Sequence, residues 1–173
     1  MPEPVPAVVL MADDDMDDID LVRKALKEAR CIVDFRYVED GEEAMEYLTG
    51  SGRYAEAELA PRPDLILLDF HMPKKDGLQT LIEIRKDPQI RSIPVVVLTT
   101  SRDQDLMFRI YSLGGSAFIT KPTVYTDMLK AMDRLCSFWF GTVSLPGKET
   151  GQGSIPRGGN GRPQRNEPRP SID

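Results

Sequence analysis

Five short apolar runs, each followed by a stretch of helical spacing, constrain this chain more than any other feature. The runs lie at 6–11 (PAVVLM), 32–38 (IVDFRYV), 64–68 (DLILL), 94–98 (PVVVL) and 116–119 (SAFI). Their Val and Ile content suits a pleated, buried surface. The intervening stretches repeat apolar residues with the period of a helix. Residues 17–29 carry Ile19, Val22 and Leu26; residues 40–48 carry Ala44, Met45 and Leu48. Residues 77–87 carry Leu78, Leu81, Ile82 and Ile84, and residues 103–113 carry Leu106, Ile110 and Leu113. A last helix is expected from about Tyr125 to Trp139. Strands separated by helices cannot pair as hairpins. They must run parallel, with the crossover helices covering both faces of the sheet. The expected fold class is therefore α/β, a doubly wound five-stranded parallel sheet. The third and fourth runs are continuously apolar, as central strands should be. The second alternates and reads as an edge strand.

In such sheets, ligands bind beyond the carboxyl ends of the strands. The residues there are informative. The first strand runs into "MADDDMDDID", where six aspartates fall between Asp13 and Asp20. A solvated helix start explains acidic residues there in general, because the positive end of a helix favours them. It does not explain why the other strand ends hold Asp69 (in "LILLDFHMPKKDG"), Thr99 (in "VVVLTTS") and Lys121 (in "AFITKP"). Asp13, Asp14 and Asp69, gathered at one edge with a hydroxyl and an ammonium, describe a hard-cation site. Mg2+ retaining several waters fits it best.

These motifs, in this order, resemble the receiver domain of two-component response regulators: an acidic pair, then "LLD" with "MPKKDG", then a Thr, then "KP". The likeness spans about residues 7–140. The longer segment "TGSGRYAEAELAPRPDLILLDF" and the terminal "FWF" are similar to the single-domain regulators that partner bacterial phytochromes and related sensor histidine kinases. The resemblance implies a flavodoxin-like sheet in order 2-1-3-4-5. It implies that Asp69 accepts a phosphoryl group from a kinase histidine. Asp13, Asp14, Asp69 and the backbone carbonyl of His71 would hold Mg2+. Lys121 would pair with the phosphoryl oxygens, Thr99 and Phe118 would be the switch residues, and the Lys121–Pro122 bond would be cis. Asp15, Asp17, Asp18 and Asp20 receive no role in the pocket and are expected to face solvent.

Plainer readings exist for several of these. Thr99 can cap the following helix, Phe118 can be core, and His71, the only histidine, can vary if only its backbone is used. Haloacid-dehalogenase-like phosphatases also form an aspartyl phosphate. They require a second Asp two residues after the nucleophile, where this chain has His71. A receiver that binds partners without phosphorylation would not need the complete pocket.

The composition changes after Phe140. Residues 141–173 hold seven glycines and five prolines and lack the apolar residues for a core, so a disordered tail is expected there, with a short leader at 1–6. The tail has five basic against three acidic residues, a charge of +2, so with −6 on the whole chain the part before it carries −8. That sign argues against non-specific nucleic-acid binding, and with no helix-turn-helix segment read after residue 140 direct DNA binding is not expected. Cys31 and Cys136 match no metal-ligand spacing and read as reduced, inert thiols. With no signal peptide and no membrane span expected, the protein is taken as cytoplasmic. Finally, Met107 and Tyr111 on the 103–113 helix, with Met128, Phe138 and Phe140 on the last one, lie outside the expected core set. The expectation is a homodimer through those two helices and the 116–119 strand between them.

Overall fold

The computed structural model describes residues 5–146. Most of the expected leader and most of the expected tail lie outside the described residues. Five strands alternate with five helices: β1 (Ala7–Ala12), α1 (Met16–Glu28), β2 (Val33–Val38), α2 (Gly41–Thr49), β3 (Leu65–Leu68), α3 (Gly77–Lys86), β4 (Val95–Thr99), α4 (Gln104–Ser112), β5 (Ala117–Thr120) and α5 (Tyr125–Gly141). A single 3-10 turn, Gly52–Tyr54, interrupts the long connection before β3 and was not foreseen. All four strand pairings are parallel, in order β2-β1-β3-β4-β5.

Alternation along the central strands divides the core into two layers, because successive side chains point to opposite faces. Leu10, Ile66, Leu68, Val95 and Val97 face α2, α3 and α4, and meet Ala44, Tyr47, Leu81, Ile84 and Ile110. Val9, Met11, Leu65, Leu67, Val96 and Leu98 face α1 and α5, and meet Ile19, Val22, Leu26, Met132 and Leu135. Two helix readings shift by part of a turn. In α2 the buried side chains are Ala44 and Tyr47, with Met45 and Leu48 half-buried. In α5, Met128 is buried and belongs to the core rather than to the surface, because it shares a face with Met132 and Leu135.

Four helix starts use an aspartate as cap. Asp15, Asp40, Asp76 and Asp103 accept the amides of Asp17, Glu43, Gln79 and Asp105, respectively. Each such cap is worth about 1 kcal/mol. Since every helix follows a strand, all four caps lie at the carboxyl edge of the sheet. Part of the acidity there is therefore structural.

The cysteines are not free thiols. Cys31 and Cys136 are joined as a disulfide with Cα atoms 6.2 Å apart. Sequence spacing gave no sign of it, since 105 residues separate the pair; only the side-by-side packing of α1 and α5 brings them together. A crosslink across that much chain restricts the unfolded state, and the stabilisation is about 2–4 kcal/mol. Reductant is expected to lower the melting temperature of the wild type by several degrees and to leave Cys136→Ser unchanged. Equal melting with and without reductant would show that the crosslink contributes nothing. Among the described residues no helix is long and apolar enough to cross a membrane.

Candidate functional site

The site is built from residues one step beyond the strands, and the sheet's own hydrogen bonds reach them. The Asp13 amide donates to the Val38 carbonyl (3.1 Å), the Asp69 amide to the Ala12 carbonyl (2.9 Å), and the Lys121 amide to the Thr99 carbonyl (2.7 Å). The backbones of Asp13, Asp69 and Lys121 are thus held in register by the neighbouring strands. Asp13 and Thr99 are fully buried, Asp69 and Lys121 nearly so, and Asp14 is exposed at the rim.

Lys121 is the centre of the arrangement. Its Nζ lies 2.6 Å from Asp13 Oδ2, 2.7 Å from Asp18 Oδ2 and 3.4 Å from Asp69 Oδ1. Asp13 Oδ1 also accepts the Asp15 amide at 3.0 Å, and Asp69 Oδ1 accepts the Phe70 amide at 2.9 Å. Burial dominates the carboxyl chemistry. It pushes Asp69 up to about 6, against the attraction of Lys121 and with help from the nearby Asp13 charge. Asp13 is likewise raised by burial, partly offset by its hydrogen bond from Lys121. Burial alone would lower Lys121, but the hydrogen bonds to Asp13 and Asp18 overcome it and raise the ammonium above its ordinary value.

Asp13, Asp14 and Asp69 each present a carboxylate oxygen within 4.8 Å of the others. An oxygen-only donor set of this charge fits a hard divalent cation. A cation there would also offset the desolvation that raises Asp13 and Asp69.

The loop after β3 is shaped for close approach. A Cβ on Gly77 would lie 2.2 Å from the Asp69 carbonyl oxygen and 2.9 Å from Phe70 Cα, so only glycine fits. The Gly77 amide donates to the Phe70 carbonyl at 2.9 Å, and Lys74 takes a positive φ of 62°. His71 sits in this loop with an exposed side chain, its ring edge against Phe70.

Two expectations need correction, and one plainer reading falls away. Asp18 does not face solvent freely: it is half-buried on the first turn of α1 and pairs with Lys121. No local pattern separates it from its acidic neighbours, and only the fold brings Lys121 to it. The Lys121–Pro122 bond is not cis; every peptide bond among the described residues is trans. Lys121 extends straight from the end of β5 and reaches Asp13 without it. Thr99 is not the cap of α4, a role held by Asp103; its Oγ1 receives the Ser101 amide at 3.4 Å. Phe118 is half-buried on β5, packs against the α2–α4 layer, and donates its amide to the Tyr111 hydroxyl at 3.2 Å. Asp20 pairs with Arg23 at the surface.

The family model described as response regulator receiver domain matches residues 9–133. Response regulator Rcp1 of Synechocystis is 40% identical over 141 residues, covering 82% of this chain and 94% of Rcp1. The crystal structure of the phosphorylated cyanobacterial phytochrome response regulator RcpA superposes with a TM-score of 0.76 at 39% identity, covering 82% of this chain and 99% of RcpA. The Mn(2+)-bound form of Rcp1 gives 0.74 at 40% identity, with 82% of this chain and 99% of that one covered.

Proposed function

This chain belongs to the response regulator receiver family, and from that premise we propose that Asp69 accepts a phosphoryl group from a phosphohistidine of a sensor kinase. The observation that carries this reading is the convergence of Asp13, Asp69 and Lys121 within hydrogen-bonding reach at the carboxyl edge of the sheet. An Asp69 carboxylate oxygen attacks phosphorus. The P–N bond of the donor breaks, and the imidazole nitrogen leaves with the electron pair as neutral imidazole once its other nitrogen is protonated. Phosphoryl transfer asks mainly for positioning and charge stabilisation. Buried Asp69 needs no base to become a nucleophile at neutral pH, since its carboxyl, though raised to about 6, is then mostly ionised. Asp13, Asp14, Asp69 and the His71 carbonyl would hold Mg2+, which when bound supplies positive charge to the incoming phosphoryl oxygens. Lys121 supplies a second positive charge from the other side. Thr99 and Phe118 transmit the event: buried Thr99 turns toward the phosphoryl group, and Phe118 rotates into the space beside it.

Similarity to RcpA favours a phytochrome-type sensor histidine kinase as the phosphoryl donor. The phosphatase reading has no support, because His71 stands where a second Asp would be needed. Incubation with acetyl phosphate and Mg2+ is expected to add one phosphoryl mass, localised by peptide mapping to Asp69. Modification of another residue, or none, would overturn the assignment.

The output is proposed to be protein contact, not DNA contact, in keeping with the net charge of −6. The surface formed by α4, β5 and α5 exposes Phe108 (75%), Tyr111 (48%) and Phe138 (51%). Exposed aromatic groups on neighbouring elements suit a partner surface, and the partner proposed is a second copy. Phe118 links it to Asp69 through β5, so phosphorylation shifts the population that pairs. Sedimentation is expected to show a dimer that charged substitutions at Phe108 and Phe138 dissociate. A protein monomeric at high micromolar concentration in both phosphorylation states would exclude it.

A further inference from the structure

We infer that Asp18 is a positioning residue that keeps the Lys121 ammonium aimed at Asp69 when Asp13 turns to a cation. This rests on the reading of Asp69 as phosphoacceptor. An ammonium has three N–H donors, and around Lys121 Nζ stand three carboxylates, Asp13 at 2.6 Å, Asp18 at 2.7 Å and Asp69 at 3.4 Å. Two of those acceptors have competing uses. Asp13 and Asp69 belong to the carboxylate cluster that fits a divalent cation; Asp18 does not. When a cation draws on Asp13, the short contact from Lys121 to Asp13 weakens. Asp18 is then the one strong acceptor left that neither ligates the cation nor carries the phosphoryl group.

The location of Asp18 suits that task. It sits on the first turn of α1, whose start is fixed by the Asp15 cap, and Ile19 beside it is fully buried against the sheet. Its carboxylate therefore approaches Lys121 from a rigid helix. A long, flexible lysine side chain loses rotamer entropy when it is fixed. A second anchor means that this loss is met before the phosphoryl group arrives.

Beryllofluoride, which occupies the phosphoryl position on an aspartate, is the probe. Its affinity in the presence of Mg2+ is measured by calorimetry, alongside the affinity for Mg2+ alone and the melting temperature. Asp18→Ala is expected to weaken beryllofluoride by about tenfold, the size of one charge-assisted hydrogen bond. Its effect on Mg2+ alone is expected to be much smaller. Asp18→Asn, which keeps a neutral acceptor, should recover part of the loss. In a Lys121→Ala background, Asp18→Ala should weaken beryllofluoride no further. A role confined to starting α1 would lower the melting temperature and leave beryllofluoride affinity unchanged, and that result overturns the inference. So does an equal Asp18 effect with and without Lys121. If the wild type itself fails to bind beryllofluoride, or binds it equally well as Asp69→Ala, the phosphoacceptor reading falls and the inference with it. Normal wild-type binding with an inert Asp18 sinks the inference alone.

Discussion

Replacing Lys121 with alanine is expected to destabilise the metal-free protein by about 3–5 kcal/mol at neutral pH, the usual penalty for leaving one partner of a buried ion pair alone. Asp13 is fully buried and Asp69 nearly so. Lys121 is the cation that touches both, and Asp18 as well. Without it, two buried carboxylates and the half-buried Asp18 are left close together with no cation among them. Two conditions should restore stability. A divalent cation such as Mg2+, held by Asp13, Asp14 and Asp69, would supply the missing charge. Acid allows Asp13 and Asp69, both already raised, to take up protons. The sign for Lys121 itself runs the other way. Its folded value is raised, so its stabilisation is complete below its ordinary value of 10.5 and is lost as pH climbs through the higher folded value. Urea titrations at pH 7 with and without Mg2+ measure both effects. A loss below about 1 kcal/mol, the ceiling for an exposed pair, would mean that the cluster is solvated in solution. Phosphorylation by acetyl phosphate should be lost in the same variant even with Mg2+ present, because the metal restores the fold and leaves the phosphoryl oxygens short of one partner.

The parts of this fold legible in the sequence are those governed by periodicity. The runs at 64–68 and 94–98 became β3 and β4 with one-residue shifts, because a central strand of a parallel sheet is apolar on both faces and stands out. The carboxyl edge was legible too: knowing that ligands gather there makes Asp13, Asp69 and Lys121 candidates from their position alone. What the sequence hid depends on contacts between distant segments. Asp18 looked like any acidic residue at a helix start until β5 brought Lys121 to it. Cys31 and Cys136 looked inert because nothing in their spacing records that α1 and α5 are neighbours. Met128 was misplaced because α5 offers apolar residues on more than one side, and which side turns inward is settled by the shape of β1, β3 and β4. Tyr47 was passed over in favour of Met45 and Leu48. Its hydroxyl reaches the Pro61 carbonyl at 2.9 Å, so the ring can be buried without stranding a polar atom.

Replacing Asp69 with asparagine should abolish labelling and at the same time stabilise the metal-free protein, by up to about 3 kcal/mol at neutral pH. Burial is the main reason the carboxyl of Asp69 is raised from 3.8 to about 6. A raised carboxyl binds its proton more tightly in the folded chain than in the unfolded one. The folded state is therefore penalised wherever Asp69 must ionise, and one pKa unit corresponds to about 1.4 kcal/mol. The penalty is complete above pH 6, shrinks between pH 6 and 4, and vanishes below that. Asparagine has no proton to lose and keeps an oxygen for the Phe70 amide, so its advantage should follow the same curve. Mg2+ should invert the comparison. The wild type gains from a ligand that binds only the folded state, whereas asparagine offers the cation a neutral oxygen in place of a charged one. Melting curves of both proteins at pH 4.5 and 7.5, with chelator and with Mg2+, separate these terms. An asparagine variant less stable than the wild type in chelator at pH 7.5 would mean that Lys121 already neutralises Asp69 fully. Asp69 would then be held in a balanced ion pair and not in the desolvated state inferred from its burial.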